Sequence, residues 1–596
     1  MMRFAVAAFC LAALPCRGQI CAPSGLEVSG DGRRVYVACS ERRTIEFVDP
    51  GTGKTLRSVA LPARPAGLTL SPDGASLYVA CVAPASSVLD VDAATGRIRS
   101  SLAAGYSAQR AVPSRDGKTL YAVNRFGGDV WILDVLGRRL EAKVKVVREP
   151  MDAALTPDGK WLFVANALPA MRADVPPVAA RVSVIDTAAR RPAESIQLPN
   201  GSTGLRSIRM SHDGKWAAVT HILARYYLPT TQLDRGWMTT NAVSLIDVPS
   251  RRLAATILLD NIGRGAANPW AVAWTPDGKR LLVTHAGTHE LSVIDVPALL
   301  AKLAQPLPAI DPADDLSFLA GLRRRVALSG KGPRAMAVAG SRVFVAGYFS
   351  DTLETLDLER PERGPEVLAR FSRGETDAAR RGEMLFNDGS IGFQGWQSCA
   401  TCHSFDARVD GLNWDLLNDG IGNPKNVKSL LLSHRTPPVM SEGVRENAEY
   451  AVRAGLRLIL FAQRPDEDAA AIDAYLKSLA PMASPALVKG RLPDHAERGR
   501  KLFFSGQTGC ATCHPAGLFT DLQSHDVGTR SQTDRISEFD TPTLVELWRT
   551  APYLHDGSAA SLREVLTVFN KSDRHGKTSH LTASEIGDLA EFLGCL

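Results

Sequence analysis

Over the first 360 residues, short apolar runs return at nearly regular intervals, each introduced by an Asp-Gly pair. The aspartates are Asp31, Asp73, Asp116, Asp158, Asp213 and Asp277. Five residues after each, an apolar run is under way, at Tyr36, Tyr78, Tyr121, Phe163, Ala218 and Leu282. A further run follows, such as Val182-Ser183-Val184-Ile185-Asp186 or Leu291-Ser292-Val293-Ile294-Asp295. The aspartates are first 42, 43 and 42 residues apart, then 55 and 64, where insertions lengthen the unit. A seventh copy without the Asp-Gly turn runs from Pro333 through Phe344-Val345-Ala346-Gly347 to Leu358. Short apolar runs bounded by turn residues predict strands. Several strands in a unit of this period predict propeller blades, because each small sheet can bury both faces only against its neighbours. The expectation is an all-β seven-bladed propeller over residues 22–360.

Beyond residue 370 the pattern turns helical. Asp377 to Phe386 and Glu497 to Phe503 read as helices that share a text, Arg381-Gly382-Glu383-Met384-Leu385-Phe386 and Arg498-Gly499-Arg500-Lys501-Leu502-Phe503. Two later amphipathic stripes, Ile472, Leu476, Leu479 and Ile586, Leu589, Leu593, predict a closing helix in each copy. Thr582 and Glu585 are spaced as a capping box for the last one. Two mainly α units are expected, at residues 372–482 and 493–596, joined by the linker Pro481 to Pro493.

The 69 basic and 63 acidic side chains leave a net charge of +6 without a long basic run, which gives a nucleic-acid partner no support. Arg323-Arg324-Arg325 reads as a solvated surface. Arg3 followed by the apolar run Phe4 to Leu14 and small residues reads as a secretory signal peptide over residues 1–18. No later stretch is long and apolar enough for a transmembrane segment, so an extracytoplasmic location, periplasmic or secreted, is expected. Of ten cysteines, Cys10 and Cys16 would leave with the signal. Cys21, Cys39, Cys81 and Cys595 allow three disulfide pairings, with free buried thiols as the alternative.

The remaining four cysteines carry the chemistry. Cys399-Ala400-Thr401-Cys402-His403 and Cys510-Ala511-Thr512-Cys513-His514 have the form of c-type haem attachment sites. Two thiols at this spacing bond the vinyl groups, and the adjacent histidine becomes the proximal iron ligand. Two covalently bound c-type haems are expected, with cofactor residues Cys399, Cys402, His403, Cys510, Cys513 and His514. On the far side of the first iron, Met440 is the candidate ligand and His434 its competitor. After His514 there is no methionine. The candidates there are His580, then His575, with His525, His555 and Tyr553 behind them. One more cluster stands out in the propeller repeat. Eight residues after each aspartate lie Cys39, Cys81, Asn124, Asn166, His221 and His285, with Gly347 in the last copy. This position either caps a turn or, through His221, His285 and His289, builds a polar or metal site. The insertion after His221 adds Arg225, Gln232, Asp234, Arg235 and Trp237 to the second reading.

The repeat resembles the YVTN family of propellers, whose strand appears here as Tyr36-Val37-Ala38-Cys39 and Phe163-Val164-Ala165-Asn166. Thr541-Pro542-Thr543-Leu544, Ala551-Pro552-Tyr553-Leu554-His555-Asp556-Gly557-Ser558 and Leu562-Arg563-Glu564-Val565 resemble the dihaem cytochrome c peroxidases and the dihaem enzyme of methylamine utilisation. That resemblance implies two haem domains of cytochrome c type that exchange electrons, and peroxide chemistry at one of them. The family position holding a Met or Tyr iron ligand falls on Phe569, which cannot ligate iron. The expected function is electron transfer by an exported dihaem cytochrome, its propeller docking a redox partner protein or a small-molecule donor or acceptor. The alternatives are a peroxidase or oxidase at the haem lacking Met, a propeller-based dehydrogenase, and a cell-surface binding module, the last two with the haems as electron outlet.

Overall fold

The computed structural model describes residues 20–229, 238–306, 310–372, 376–416 and 422–596. The expected signal peptide therefore lies outside the described residues, as do Gln232, Asp234, Arg235 and Trp237. Seven antiparallel sheets form a closed ring. The first shows the plan: β1 (Pro23–Val28), β2 (Val35–Cys39), β3 (Thr44–Val48) and β4 (Thr55–Ala60) pair in sequence order. β2 and β3 are buried along their whole length, whereas β4 is almost wholly exposed. The middle strands read as continuous apolar runs because neighbouring blades cover both faces; the outermost strand faces water on its rim. Tyr36, Ile45 and Phe47 of the first blade pack on Leu77 and Val79 of the second.

The Asp-Gly pairs are one repeated turn. Each aspartate accepts a hydrogen bond from the Ser or Thr hydroxyl two residues before it and from the backbone N–H two residues after it. The glycine that follows has φ between +68° and +73° in all six copies, a region that costs glycine nothing. The turn thus needs no distant partner and fixes the register of the second strand in every blade.

The ring closes without strand exchange. Blade seven is built from Pro333–Ala339, Arg342–Gly347, Thr352–Asp357 and Glu366–Arg370, so its rim strand lies past the expected boundary at residue 360. The Asp351 carboxylate in this blade accepts the backbone N–H groups of Cys21 (3.0 Å) and Ala22 (2.8 Å), which lead into the first blade. Cys21 and Cys39 form a disulfide, and Cys81 and Cys595 are free and buried. Asp351→Ala should orphan two buried donors and lower stability by about 2 to 4 kcal/mol, read from the urea midpoint at constant slope.

Two readings of propeller residues change. Arg323-Arg324-Arg325 is the start of the rim strand of blade six; Arg324 is exposed as expected, and the other two are engaged. Arg325 is buried in an ion pair with Glu290, and Arg323 donates to the Leu259 carbonyl. The second-strand position holding Cys39, Asn124, Asn166, His221 and His285 is buried in each copy. His221 is bonded to Ser244 Oγ (2.8 Å) and the Ile222 carbonyl (3.1 Å), and His285 to Ser292 Oγ (2.7 Å). These are interior histidines rather than the rim of an open site; burial pushes His221 down to about 4. His289 accepts from the Gly332 N–H and stands 3.2 Å from Asp388 Oδ1, joining the ring to the helical half. Arg225 is likewise engaged, by Asp314 at 2.6 Å.

The helical half covers the end of the propeller where the second strands finish. Asn268 donates to Ser398 Oγ (2.8 Å) and accepts from Thr401 Oγ1 (3.1 Å), Thr239 donates to Gln397, and Arg148 donates to the Arg549 carbonyl. In this half, α1 (Ala378–Asn387) crosses α2 (Asp466–Lys477), and α3 (Asp494–Phe503) crosses α4 (Ala583–Gly594). Gly382 and Gly499 sit at the crossings. A Cβ on Gly382 would lie 1.8 Å from the Ala471 carbonyl oxygen, and one on Gly499 1.9 Å from that of Asp588. The shared Arg-Gly text thus marks two equivalent close approaches. Behind them Phe386 packs on Tyr475 and Phe503 on Phe592, each at 5.3 Å between ring centroids. The capping box at Thr582 and Glu585 forms in both directions.

Candidate functional site: two Cys-x-x-Cys-His turns

Each motif is one helical turn placed against a helix crossing. Cys399–Cys402 is capped by Ser398, whose backbone N–H donates to Thr401 Oγ1 at 3.0 Å. Cys510–Cys513 follows Gly509 in the left-handed region. Burial pushes the Cys399 thiol up to about 12 and raises Cys402, Cys510 and Cys513 as well. The thiols are therefore neutral and sit among apolar side chains such as Leu385, Leu456 and Leu460 in the first unit and Phe519 and Leu544 in the second.

The two histidines are oriented alike. His403 Nδ1 is 3.1 Å from the Lys428 carbonyl, and His514 Nδ1 is 2.8 Å from the Phe519 carbonyl. A carbonyl accepts only, so each Nδ1 carries the proton and each Nε2 presents its lone pair, the tautomer a metal takes. Burial lowers both rings, His403 to about 4, which keeps them neutral.

The units are internal copies well beyond the motifs. Leu432 and Glu546 are both left-handed and each opens a short 3₁₀ turn. The bridges Val439↔Arg445 and Tyr553↔Ala559 follow, and within them Met440 (φ +77°) occupies the place of Leu554 (φ +71°). Met440 is half-buried, and His434 Nε2 is taken by Asp473 at 3.0 Å. At the second motif, His555 is paired with Asp534 (2.8 Å) and stacked on Phe539 (3.8 Å), His525 is paired with Asp521 (2.7 Å), and the Tyr553 hydroxyl donates to the Leu547 carbonyl. Phe569 lies beneath Arg172 of the propeller, 5.6 Å from its guanidinium carbon.

His580, the first sequence choice for the second iron, is exposed beside Asp573 and Glu585 at the start of α4. His575 is half-buried, and its ring centroid is 6.5 Å from that of His514, with 40° between the planes. Burial, and then the neighbouring His514, push His575 down to about 4. Asn570 holds the loop in place: its Nδ2 donates to the carbonyls of His575 (3.2 Å) and Gly576 (2.7 Å) and to Thr578 Oγ1 (2.9 Å), and its Oδ1 accepts from the His575 N–H. The same loop reaches the attachment motif, where the Lys577 N–H donates to the Thr508 carbonyl at 2.8 Å. Sequence reading missed Asn570, although it directly follows Phe569, the position marked by the family pattern. Among the described residues one group of His, Cys, Asp and Glu donors could share a metal ion, Cys513, Asp521 and His525, and its cysteine belongs to the attachment motif.

Buried ion pairs join the units. Arg408 makes a two-pronged pair with Glu546 (2.8 and 3.1 Å), Lys428 meets Asp540 (2.7 Å), and Lys425 meets Asp534 (2.9 Å).

No protein-family model matches the chain. Hydrazine synthase subunit gamma of Kuenenia stuttgartiensis is 32% identical over 301 residues, covering 41% of this chain and 85% of that subunit. The chain belongs to the family of hydrazine synthase subunit gamma. Methylamine utilization protein MauG of Methylorubrum extorquens is 26% identical over 339 residues, 44% of this chain and 93% of MauG. A solved structure of Kuenenia stuttgartiensis hydrazine synthase superposes with a TM-score of 0.53 at 25% identity, over 57% of this chain and 96% of that one. In this member of the gamma-subunit family, the seven-bladed propeller and a region of dihaem cytochrome c peroxidase kind share one polypeptide. No helix among the described residues is long and apolar enough to cross a membrane.

Proposed function

We propose that the chain is an exported dihaem redox protein, with cytochrome c domains at residues 372–482 and 493–596 that pass electrons between two unlike irons. The observation that carries this is the pair of Cys-x-x-Cys-His turns, each with its histidine held by a carbonyl so that Nε2 is free. Cys399, Cys402 and His403 would hold one haem, and Cys510, Cys513 and His514 the other. The donor set fits this use: half-buried neutral thiols, neutral imidazoles and apolar walls. Bound there, a haem supplies a one-electron couple whose potential depends on its axial ligands.

The protein's own residues make the two sites differ. At the second site His575, in place of His580, would join His514 in holding the group. The ring centroids of His514 and His575 are 6.5 Å apart, which leaves room for one group to be held by both. At the first site Met440 is the candidate, because Asp473 already holds His434. Asn570 is a positioning residue for His575. His575→Ala should turn one of the two haems from low-spin to high-spin in ferric electron paramagnetic resonance, with His580→Ala leaving the spectrum unchanged. A spectrum indifferent to His575→Ala would sink this assignment.

A second reading makes the chain catalytic. It is favoured by the relatives, a hydrazine synthase and a methylamine utilization protein, and takes a small nitrogen compound as substrate. Haem reduction driven by such a compound in the absence of a protein donor would decide for it.

A further inference from the structure

Where the propeller meets the first helical unit, the seam is crowded with arginine. Arg206 lies just before the innermost strand of blade five, Ile208–Met210, and is 7% exposed. Its guanidinium carbon is 3.6 Å from the centroid of the Phe405 ring and 4.1 Å from that of Trp270. No carboxylate or hydrogen-bond acceptor among the described residues holds this guanidinium. Glu149 and Asp406, the acids that act on it from a distance, are engaged by Arg125 at 2.8 and 3.6 Å. Arg334 stands 4.3 Å from the same Trp270 ring; its one acceptor is Asn387 Oδ1 at 3.0 Å, and its buried Nε has none.

Desolvation, and then the charges of Arg334 and Arg125, drive Arg206 well below the usual guanidinium range. A cation so placed is costly, and stacking on aromatic faces offsets only part of the loss of water. The seam is also not filled. Asp406, amid Arg125, Arg549, Arg408 and Arg334, keeps 64% of its side chain accessible, so open volume lies beside these groups. Positive charge, a free planar fork of donors and accessible space point to one ligand chemistry, a planar oxyanion met edge-on by guanidinium N–H groups.

We propose that Arg206 forms an oxyanion site at the propeller mouth, taking a planar carboxylate or nitrate-like anion. This chemistry has two sources, a diffusible small oxyanion or a propionate of the haem on Cys399 and Cys402. The site goes beyond the redox reading, and its diffusible arm needs no haem.

The test is thermal unfolding of the purified holoprotein in sodium nitrate or formate, against sodium chloride at equal ionic strength. It is paired with a redox titration of the haems across pH. A diffusible ligand gives a saturating rise of about 3 °C in nitrate or formate but not chloride, lost in Arg206→Gln and in Arg206→Lys, which keeps the charge and removes the fork. A propionate gives no nitrate response in the wild type. Arg206→Gln then shifts the midpoint of one haem only and moves the pH dependence of that midpoint upward. A nitrate response surviving both substitutions, or neither effect, overturns the site.

Discussion

Replacing Cys399 and Cys402 together by Ser is expected to halve the covalent haem, from two per chain to one, and the Cys510/Cys513 pair should do the same for the other. Sulfur is required because the proposed attachment is a thioether; a serine hydroxyl keeps the shape of the turn but cannot form it. The surroundings are built for an adduct rather than a free thiolate. Burial holds Cys399 neutral, and no cation is placed to ionise it. The two losses should be independent, since each turn packs in its own apolar cluster. Haem staining of denatured protein reads this directly. Two haems retained in the fourfold Ser variant would refute covalent attachment.

Gly499→Ala should destabilise the protein by about 3 kcal/mol, the upper end of ordinary overpacking costs. On an open helix the same change stabilises by roughly 0.5 to 1 kcal/mol, so the predicted sign is reversed. The reason is contact with backbone: the new methyl would lie 1.9 Å from the Asp588 carbonyl oxygen and 2.4 Å from its carbon, and neither can rotate away. α3 and α4 must separate, which loosens Phe503 from Phe592 behind the crossing. Gly587→Ala, on α4 but with only a flexible Arg563 nitrogen 4.0 Å away, is the control and should stabilise. Urea unfolding of both variants followed by far-ultraviolet circular dichroism checks the pair. Equal effects of the same sign would show that the crossing does not constrain Gly499.

The chain's own chemistry determines whatever is settled over a few residues. The Asp-Gly turns close on their own hydroxyls and N–H groups, so six blades are legible from a stretch of about five residues each, and the seventh follows from its strands. The Cys-x-x-Cys-His turns are equally local. The Arg-Gly text before each marks a crossing whose partner helix shows its apolar stripe. Tertiary structure decided what depends on how loops travel. It joined Cys21 to Cys39 and left Cys81 and Cys595 free, by bringing Cys21 beside the end of β2. It buried His221 and His285 under the helical half and gave each a serine partner, where spacing alone allowed an open mouth. It brought His575 to 6.5 Å from His514 between ring centroids and left His580 exposed, because Asn570 ties the loop down five residues before His575. Arg206 had no signature at all. A lone arginine before a strand becomes notable only when Phe405, nearly two hundred residues later, closes over it and the nearby acids, Asp406 and Glu149, pair with Arg125 instead.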